Sequence, residues 1–595
     1  MASPAQAYPT SNGAARPGAG ARIAYDPSQD GRAAGRPGKD DRLMRATDQT
    51  PAIPAGRARS WAAALAAALL VGAGASGAAQ DHGGHGGPDT ASPELPESFA
   101  EAMPLYEGVL GGHEHPISSS NAEAQAYFNQ GFRLMYAFAK EEAIRSFREA
   151  WQRDPDCAIC YWGEAWAWGS YLNGPMRPFE APHAHAALEE ALARRSTASP
   201  KEQAYIDALS TRYVEDFDPA TRREQDEAYA GAMRAVAEAW PDDLDAMTLY
   251  GDALFLLEPR RGTRDLDDPN VQRLHGVLES VLDRNIRHPG ACHLYIHATE
   301  STVEPGRASA CAEHLGSEIP GASHINHMPS HTWNEIGRWA DGVRANLDAW
   351  HSDLKAEVGE GVAIYPSHNL HMLLFAASMD GQGAIAIQAG KDYAKLTGDS
   401  VFHVLTLVRF GRFDEVLEVT ERPAQDGSGG LWDFAQGYAH LRAGDADFAE
   451  VYLDRVLKLA AETNARFRFD SAELLLKTVG GILEGEIRRA DGHLHAAIES
   501  FERAVEVEDQ LEYSEPEPLP FAARHWLGAA LLEAGRFADA ERVYREELED
   551  HPNNGWSLFG FQQALRAQEK ASPDVEAQFE KSWARSDTWM AASRF

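Results

Sequence analysis

The chain has 595 residues, 44% of them hydrophobic and 14 of them Trp, which is more than one compact core usually organises, so several domains or a repeat array is expected. Its formal net charge is -35, from 90 acidic and 55 basic residues. That balance argues against nucleic acid as a partner, which demands clustered Lys and Arg, and against docking on an anionic membrane surface. It suits a soluble acidic surface, or cationic partners such as metal ions and basic peptides.

Residues 1–56 are rich in Ala, Gly, Pro, Arg and Asp without periodicity and are expected to be disordered. Residues 57–79 have the layout of a signal peptide: Arg57-Ala-Arg59, an apolar stretch from Trp61 to Gly74, and the small residues Ala75 to Ala79. Cleavage is expected after Ala79, with translation beginning at Met44, and the mature chain is expected to be periplasmic or secreted. The apolar stretch is short for a bilayer span, so no stable membrane span is expected after cleavage. Residues 80–120 read as a flexible linker that opens on Asp81-His-Gly-Gly-His-Gly-Gly87. It ends in a lead-in loop, Gly111-Gly-His-Glu-His115, which nothing in the sequence ties to a metal.

From 121 onward apolar residues recur at helical spacing between short Gly or Asp turns, and alternating β-branched runs are missing. Gly131, Ala143, Phe147, Ala150 and Pro155 form one repeat; Gly437, Gly444, Ala449 and Val456 another; Gly485, Gly492, Ala497, Phe501 and Ala504 a third. Leu527-Gly528, Gly535, Ala540, Tyr544 and Pro552 form the clearest. These offsets are those of the 34-residue tetratricopeptide (TPR) template, in which small residues bring two helices together and an aromatic fills the gap between repeats. The expected fold is all-α: an irregular TPR-like α-solenoid of antiparallel helix pairs, with an N-terminal region at 121–400, a C-terminal one at 401–595, and insertions near 172–182 and 258–270. Trp162, Trp166 and Trp168 are expected to pack between repeats. Cys157 and Cys160 lack the βαβ context of a redox CxxC motif and read as a structural disulfide or two buried thiols. Cys292 and Cys311 complete the four.

Histidine is concentrated in one place. Nine of the 23 lie between His293 and His371, where even spacing would put about three. His293 and His297 are four apart, as are His327 and His331, while His368 and His371 are three apart, so each pair shares one helix face. Paired imidazoles one turn apart can hold one ion, and neutral imidazole is a ligand for Zn, Cu, Ni or Fe. Glu300 lies on the same face as His297. Taking Gly337 and Gly381 as inter-helix turns puts His324, His327 and His331 at positions 2, 5 and 9 of one first helix, and His368 and His371 at positions 2 and 5 of the next. Taking Ala308 as the small residue of a second helix puts His293 and His297 at positions 5 and 9. Those positions line the concave groove of a regular array. Alternatively, Pro329 opens its helix and leaves His324 and His327 on a preceding loop. The candidate metal set is therefore His293, His297, His327, His331, His368 and His371, with His324 and Glu300 as auxiliary groups. A divalent transition metal is the expected cofactor. Met328 and Met372 are possible soft ligands but more often core residues at this spacing. GxSxG, P-loop and HExxH motifs are missing.

Beyond the general TPR resemblance, the stretch from Phe128 to about Gly381 resembles a group of bacterial TPR-containing proteins. They share an Ala-Phe-x-x-Glu-Glu-Ala turn, here Ala137 to Ala143, an HxxxHA segment (His293 to Ala298), an HMPSH segment (His327 to His331) and an HNxH segment (His368 to His371). That group has no established activity, so the resemblance implies the fold and the histidine pattern alone. The wider TPR superfamily mostly binds peptides or protein segments. The alternative to a metal site is accordingly a scaffold whose concave groove receives a peptide or protein partner.

Overall fold

The computed structural model describes residue 95, residues 97–259 and residues 262–595. The expected disordered lead, the signal segment and the start of the linker lie outside the described residues. From Glu97 the segment expected to be linker is packed onto the first helices, with Met103, Leu110 and His115 buried.

Helices then follow in pairs. The first are α1 (Ala122–Tyr136), α2 (Lys140–Arg153), α3 (Ala158–Trp168), α4 (Ala181–Ala193), α5 (Pro200–Leu209), α6 (Arg222–Ala239), α7 (Leu244–Phe255) and α8 (Pro269–Leu282). Next come α9 (Pro289–Thr299), α10 (Ser309–His314), α11 (Ser323–His327), α12 (Pro329–Glu335), α13 (Trp339–Ala356) and α14 (Pro366–Met379). Further pairs continue to a last helix at Pro573–Ser582. The described chain is an all-α, TPR-like solenoid. Its one sheet is a short antiparallel hairpin, β1 (Arg466–Phe467) with β2 (Asp470–Ser471), for which the sequence carries no repeat or strand signature.

The small residues of the template perform the packing the spacing implies. A Cβ on Gly131 would lie 2.8 Å from the Phe147 ring, and one on Gly163 would lie 2.4 Å from it. Phe147 therefore sits in a notch made by its own repeat and the next. Tyr544 does the same between Gly528 and Gly560, where an added Cβ would come within 2.4 and 2.1 Å. Phe147 is fully buried, and truncating such a ring costs about 3–5 kcal/mol. Trp162 and Trp166 stack at 5.4 Å within the same layer, and the Trp162 indole donates to the Tyr205 carbonyl at 3.1 Å. Among the described residues the expected insertions are irregular: Gly169 to Glu180 carries an isolated bridge, and 256–268 carries turns.

The apolar core falls into two main groups, one running from Met103 to Tyr365 and the other from Val343 to Met590. The C-terminal repeats turn back onto the middle of the chain. Trp339 Nε1 donates to Pro552 O at 3.0 Å, and Trp556 Nε1 to Ser378 O at 2.8 Å. Gly337 combines a φ of 70° with a close approach, since a Cβ there would lie 1.9 Å from Pro552 O. Only glycine satisfies both demands. Two disulfides, Cys157–Cys160 and Cys292–Cys311, use all four cysteines. Among the described residues no helix is long and apolar enough to cross a membrane.

Candidate metal centre

Helix α9 starts at Pro289, and the ring of His288 caps it, Nδ1 accepting from Ala291 N at 3.2 Å. Gly290 lets the helix close on α1: a Cβ there would meet the Tyr136 ring at 2.4 Å. The Cys292–Cys311 bridge ties α9 to α10. So held, α9 carries His293 and His297 one turn apart, both buried. Pro329 opens α12, as in the alternative sequence reading, but His324 and His327 lie on the short helix α11 rather than on a loop. The first helix of this repeat is thus broken at Met328, and His331 follows one turn beyond the break. His368 comes from the first turn of α14, which is entered through Tyr365 in the left-handed region at φ 58°.

Six rings form one continuous belt. Ring centres are 5.0 Å apart for His293 and His324, 5.1 Å for His293 and His297, and 5.2 Å for His297 and His331. The belt continues through His324 and His327 at 5.3 Å, His327 and His331 at 4.6 Å, and His327 and His368 at 4.6 Å. Ligand nitrogens of His293, His297 and His324 lie within 4.8 Å of one another, and so do those of His327, His331 and His368. The belt is walled by Phe138, 4.1 Å from the His293 ring, and Tyr365, 5.0 Å from that of His324. Both aromatics hold positive φ, 63° and 58°. Bulky residues rarely adopt this conformation, and it persists only where the surroundings enforce it.

The hydrogen bonds fix which nitrogen faces inward. His293 Nδ1–H donates to Tyr136 O at 2.6 Å, and His297 Nδ1–H to Glu300 Oε1 at 2.9 Å. His331 Nδ1–H donates to Glu300 Oε2 at 2.5 Å. His327 Nδ1–H donates to Asn346 Oδ1 at 2.9 Å, and the Asn346 amide is oriented by its own donation to Gly342 O. Each acceptor is an oxygen with no proton to give, so each Nδ1 is the protonated nitrogen. Four Nε2 atoms are thereby turned into the belt. His297 Nε2 is buried with no hydrogen-bond partner among the described residues. His293 Nε2 stands 3.2 Å from His324 Nε2, close to the ~3.3 Å separating two nitrogens on one tetrahedral ion. His327 Nε2 and His331 Nε2 are 2.8 Å apart, a distance bridged by a proton here, and one that must widen to about 3.3 Å around an ion.

Burial, reinforced by the neighbouring imidazoles, holds His293, His324 and His327 well below the ordinary histidine pKa. They are neutral, the form that binds metals. His331 differs. Burial opposes its charge, but the carboxylates of Glu300 and Glu515 outweigh burial and push it up to about 10. Glu300 is itself held well below the usual carboxylate range, against burial, by His297 and His331.

A cavity of about 70 Å³ opens beside the belt, lined by His297, His324, His331 and His368 and, across from them, by Arg264, Arg468, Tyr513 and Glu515. Arg264 comes from the loop before α8, whereas Arg468, Tyr513 and Glu515 come from the hairpin turn and the loop before Ala523, so the C-terminal repeats help close a site that the N-terminal ones build. Glu515 Oε2 reaches 3.0 Å from His331 Nδ1.

Seven of the eight residues expected at the site lie together: His293, His297, Glu300, His324, His327, His331 and His368. His371 does not join them. Its ring is stacked on Phe402 at 3.9 Å, with neither nitrogen bonded. It belongs to the apolar side of α14, because the i,i+3 step turns it away from His368. Met328 and Met372 are core residues. Sequence reasoning missed Tyr136, Asn346 and Glu515, whose links to the belt span 157, 19 and 184 positions.

No family model matches the chain, and no curated protein matches it. Solved structures that it resembles include yeast Tom70, at 11% identity over 78% of this chain and 100% of that one, with a TM-score of 0.29. Another is Cut9 in the APC/C hetero-tetramer Cut9-Hcn1, at 14% identity over 79% and 75%, with a TM-score of 0.26. A third is the TPR domain of P58(IPK), at 12% identity over 76% and 99%, with a TM-score of 0.20.

Proposed function

We propose that the chain is an exported metal-binding repeat protein whose inner belt of imidazoles holds two divalent transition ions. His293, His297 and His324 hold one ion, and His327, His331 and His368 the other, with His331 giving up to solvent the Nε2 proton it shares with His327. The observation that carries this reading is the set of four Nδ1–H anchors. Metal-binding histidines characteristically donate the second ring nitrogen to a carbonyl or carboxylate, which fixes the tautomer and raises the basicity of the ligating nitrogen. Here two carboxylate oxygens, one backbone carbonyl and one oriented amide do so for four rings at once. All-nitrogen sets favour Zn, Cu, Ni or Fe over hard oxygen-seeking cations.

Glu300 and Asn346 act as positioning residues, and Glu515 shields the His331 edge from the C-terminal side. The cavity has room for water or one small oxygen ligand beside the ions. The peptide-groove alternative gains no support from this face, because the space is small and the rings are buried. The two disulfides support the proposed setting, an oxidising compartment outside the cytosol.

The test is elemental mass spectrometry on untagged protein, comparing the parent chain with His327→Ala/His331→Ala. About two ions per chain, reduced to one or none in the variant, is the expected result. A parent chain that stays metal-free after incubation with Zn, Cu, Ni and Fe salts overturns the reading.

A further inference from the structure

Asp245, one residue into α7, is buried, and four side chains converge on it. Its Oδ1 lies 3.0 Å from His113 Nε2, 3.2 Å from His288 Nε2 and 2.7 Å from Tyr136 Oη. Its Oδ2 lies 2.7 Å from His115 Nδ1. A carboxylate oxygen offers two lone pairs, so Oδ1 faces three groups with two positions to give.

We infer that His113, His288 and Asp245 form a second cation site, a two-imidazole, one-carboxylate set for a divalent transition ion, separate from the inner belt. An ion on Oδ1 takes one lone pair and accepts the two Nε2 atoms, leaving the other lone pair to the Tyr136 hydroxyl. The crowding on Oδ1 is then resolved. The three ligand atoms lie within 4.8 Å of one another. The 3.0 and 3.2 Å edges match the roughly 3.0–3.4 Å between ligands bound at about 2.1 Å in octahedral or tetrahedral geometry. His115 and Tyr136 hold the carboxylate in place, as groups behind metal ligands do.

The site also has an approach. His113, Asp245 and His288 line an open pocket that also carries Glu114, Asp242, Asp243 and Lys201, with Asp243 paired to Lys201 at 2.8 Å and Asp242 to Arg284 at 3.2 Å. Two imidazoles and one carboxylate leave coordination positions facing that pocket, the arrangement suited to Fe(II) and related ions. Filling the site has one structural cost. His288 Nδ1 now accepts the Ala291 N–H at 3.2 Å. Ligation through Nε2 moves the ring proton to Nδ1 and gives up that cap.

The experiment titrates the chelator-stripped full chain with Co(II), following visible absorption and bound cobalt, in the parent, in His113→Ala, and in His327→Ala/His331→Ala. The His113 side chain is 16% exposed and packs on the Phe132, Tyr136 and His288 rings, and circular dichroism verifies that the variant keeps its fold. The expected result is that His113→Ala loses one cobalt per chain, or binds it at least tenfold more weakly. The inner-belt variant keeps a cobalt that His113→Ala, added to it, removes. An unchanged titration in His113→Ala overturns the inference whatever the inner belt does. If the belt binds nothing, the parent takes one ion, sensitive to His113 and indifferent to His327 and His331.

Discussion

The belt histidines of α9, α11 and α12 and the C-terminal pair His525 and His551 are all buried between helices, yet their ring nitrogens are employed differently. At the C-terminus both nitrogens of each ring are consumed by the protein. His551 donates from Nδ1 to Glu547 at 2.9 Å and from Nε2 to Glu517 at 3.2 Å. His525 Nδ1 accepts from Ala522 N at 3.2 Å, and its Nε2 lies 3.1 Å from Ser557 Oγ and 3.1 Å from Asn554 Nδ2. In the belt, four rings anchor Nδ1 and direct Nε2 at their neighbours, while His324 Nδ1 has no hydrogen-bond partner among the described residues. Burial of histidine is therefore no signature of a metal site. What sets the belt apart is a shared direction for its unanchored nitrogens.

Breaking the anchors in each region separates the two roles. Glu547→Gln removes the carboxylate that His551 leans on, and breaking such a buried pair costs about 3–5 kcal/mol. Denaturant unfolding should show that loss, with metal content unchanged. Saturating the belt should stabilise the parent chain by about 2.7 kcal/mol for each bound ion at a hundredfold excess over Kd. A thermal melt with and without a chelator reads this, and the gain should vanish in His327→Ala/His331→Ala. Glu300→Gln leaves the belt ligands in place but weakens two of their anchors, so metal affinity should fall about 10- to 100-fold in a chelator competition. An unchanged affinity would sink the anchoring argument.

The C-terminal pair also has its own pH dependence. Burial opposes charge on His551, but Glu517 and Glu547 raise its pKa well above the ordinary value. A raised folded-state pKa gives stability that is fully present below the unfolded value of about 6.5 and lost as pH rises through the folded value. The melting difference between parent and His551→Gln should therefore be largest near pH 6 and shrink under alkaline conditions; a difference that grows with pH contradicts the ion pairing. The smallest effect belongs to His371. With both ring nitrogens buried and unbonded, His371→Leu should leave metal content unchanged and stability equal or higher by about 1 kcal/mol.

The repeat architecture is legible because its chemistry is local. A notch glycine and its aromatic, such as Gly131 with Phe147 or Gly528 with Tyr544, recur at fixed offsets set by one helix pair. The i,i+4 pairs His293/His297 and His327/His331 are legible for the same reason. What escapes is anything that depends on a distant partner. Nothing near His293 says that the Tyr136 carbonyl will take its proton, and nothing near His331 announces Glu515. The His368/His371 pairing misleads because i,i+3 spacing is compatible with one face, yet leaves a rotation of about 60° that packing against Phe402 resolves the other way. The hairpin at Arg466–Ser471 escapes because two-residue strands are too short to show alternation.

The contact between Gly337 and Pro552 has a consequence for how the molecule is made. Repeat arrays are ordinarily quasi-one-dimensional, each unit leaning only on its neighbours, so that folding can spread along the chain from any point. Here the middle of the chain is clasped by segments some two hundred residues later: Pro552 on Trp339, Trp556 on Ser378, and Arg585 on Asp380 at 2.8 Å. During synthesis every belt histidine has been made before Glu515 and Arg468 exist to wall the cavity. The imidazoles are thus synthesised before the segments that wall the cavity, and enclosure of that face waits on the last repeats.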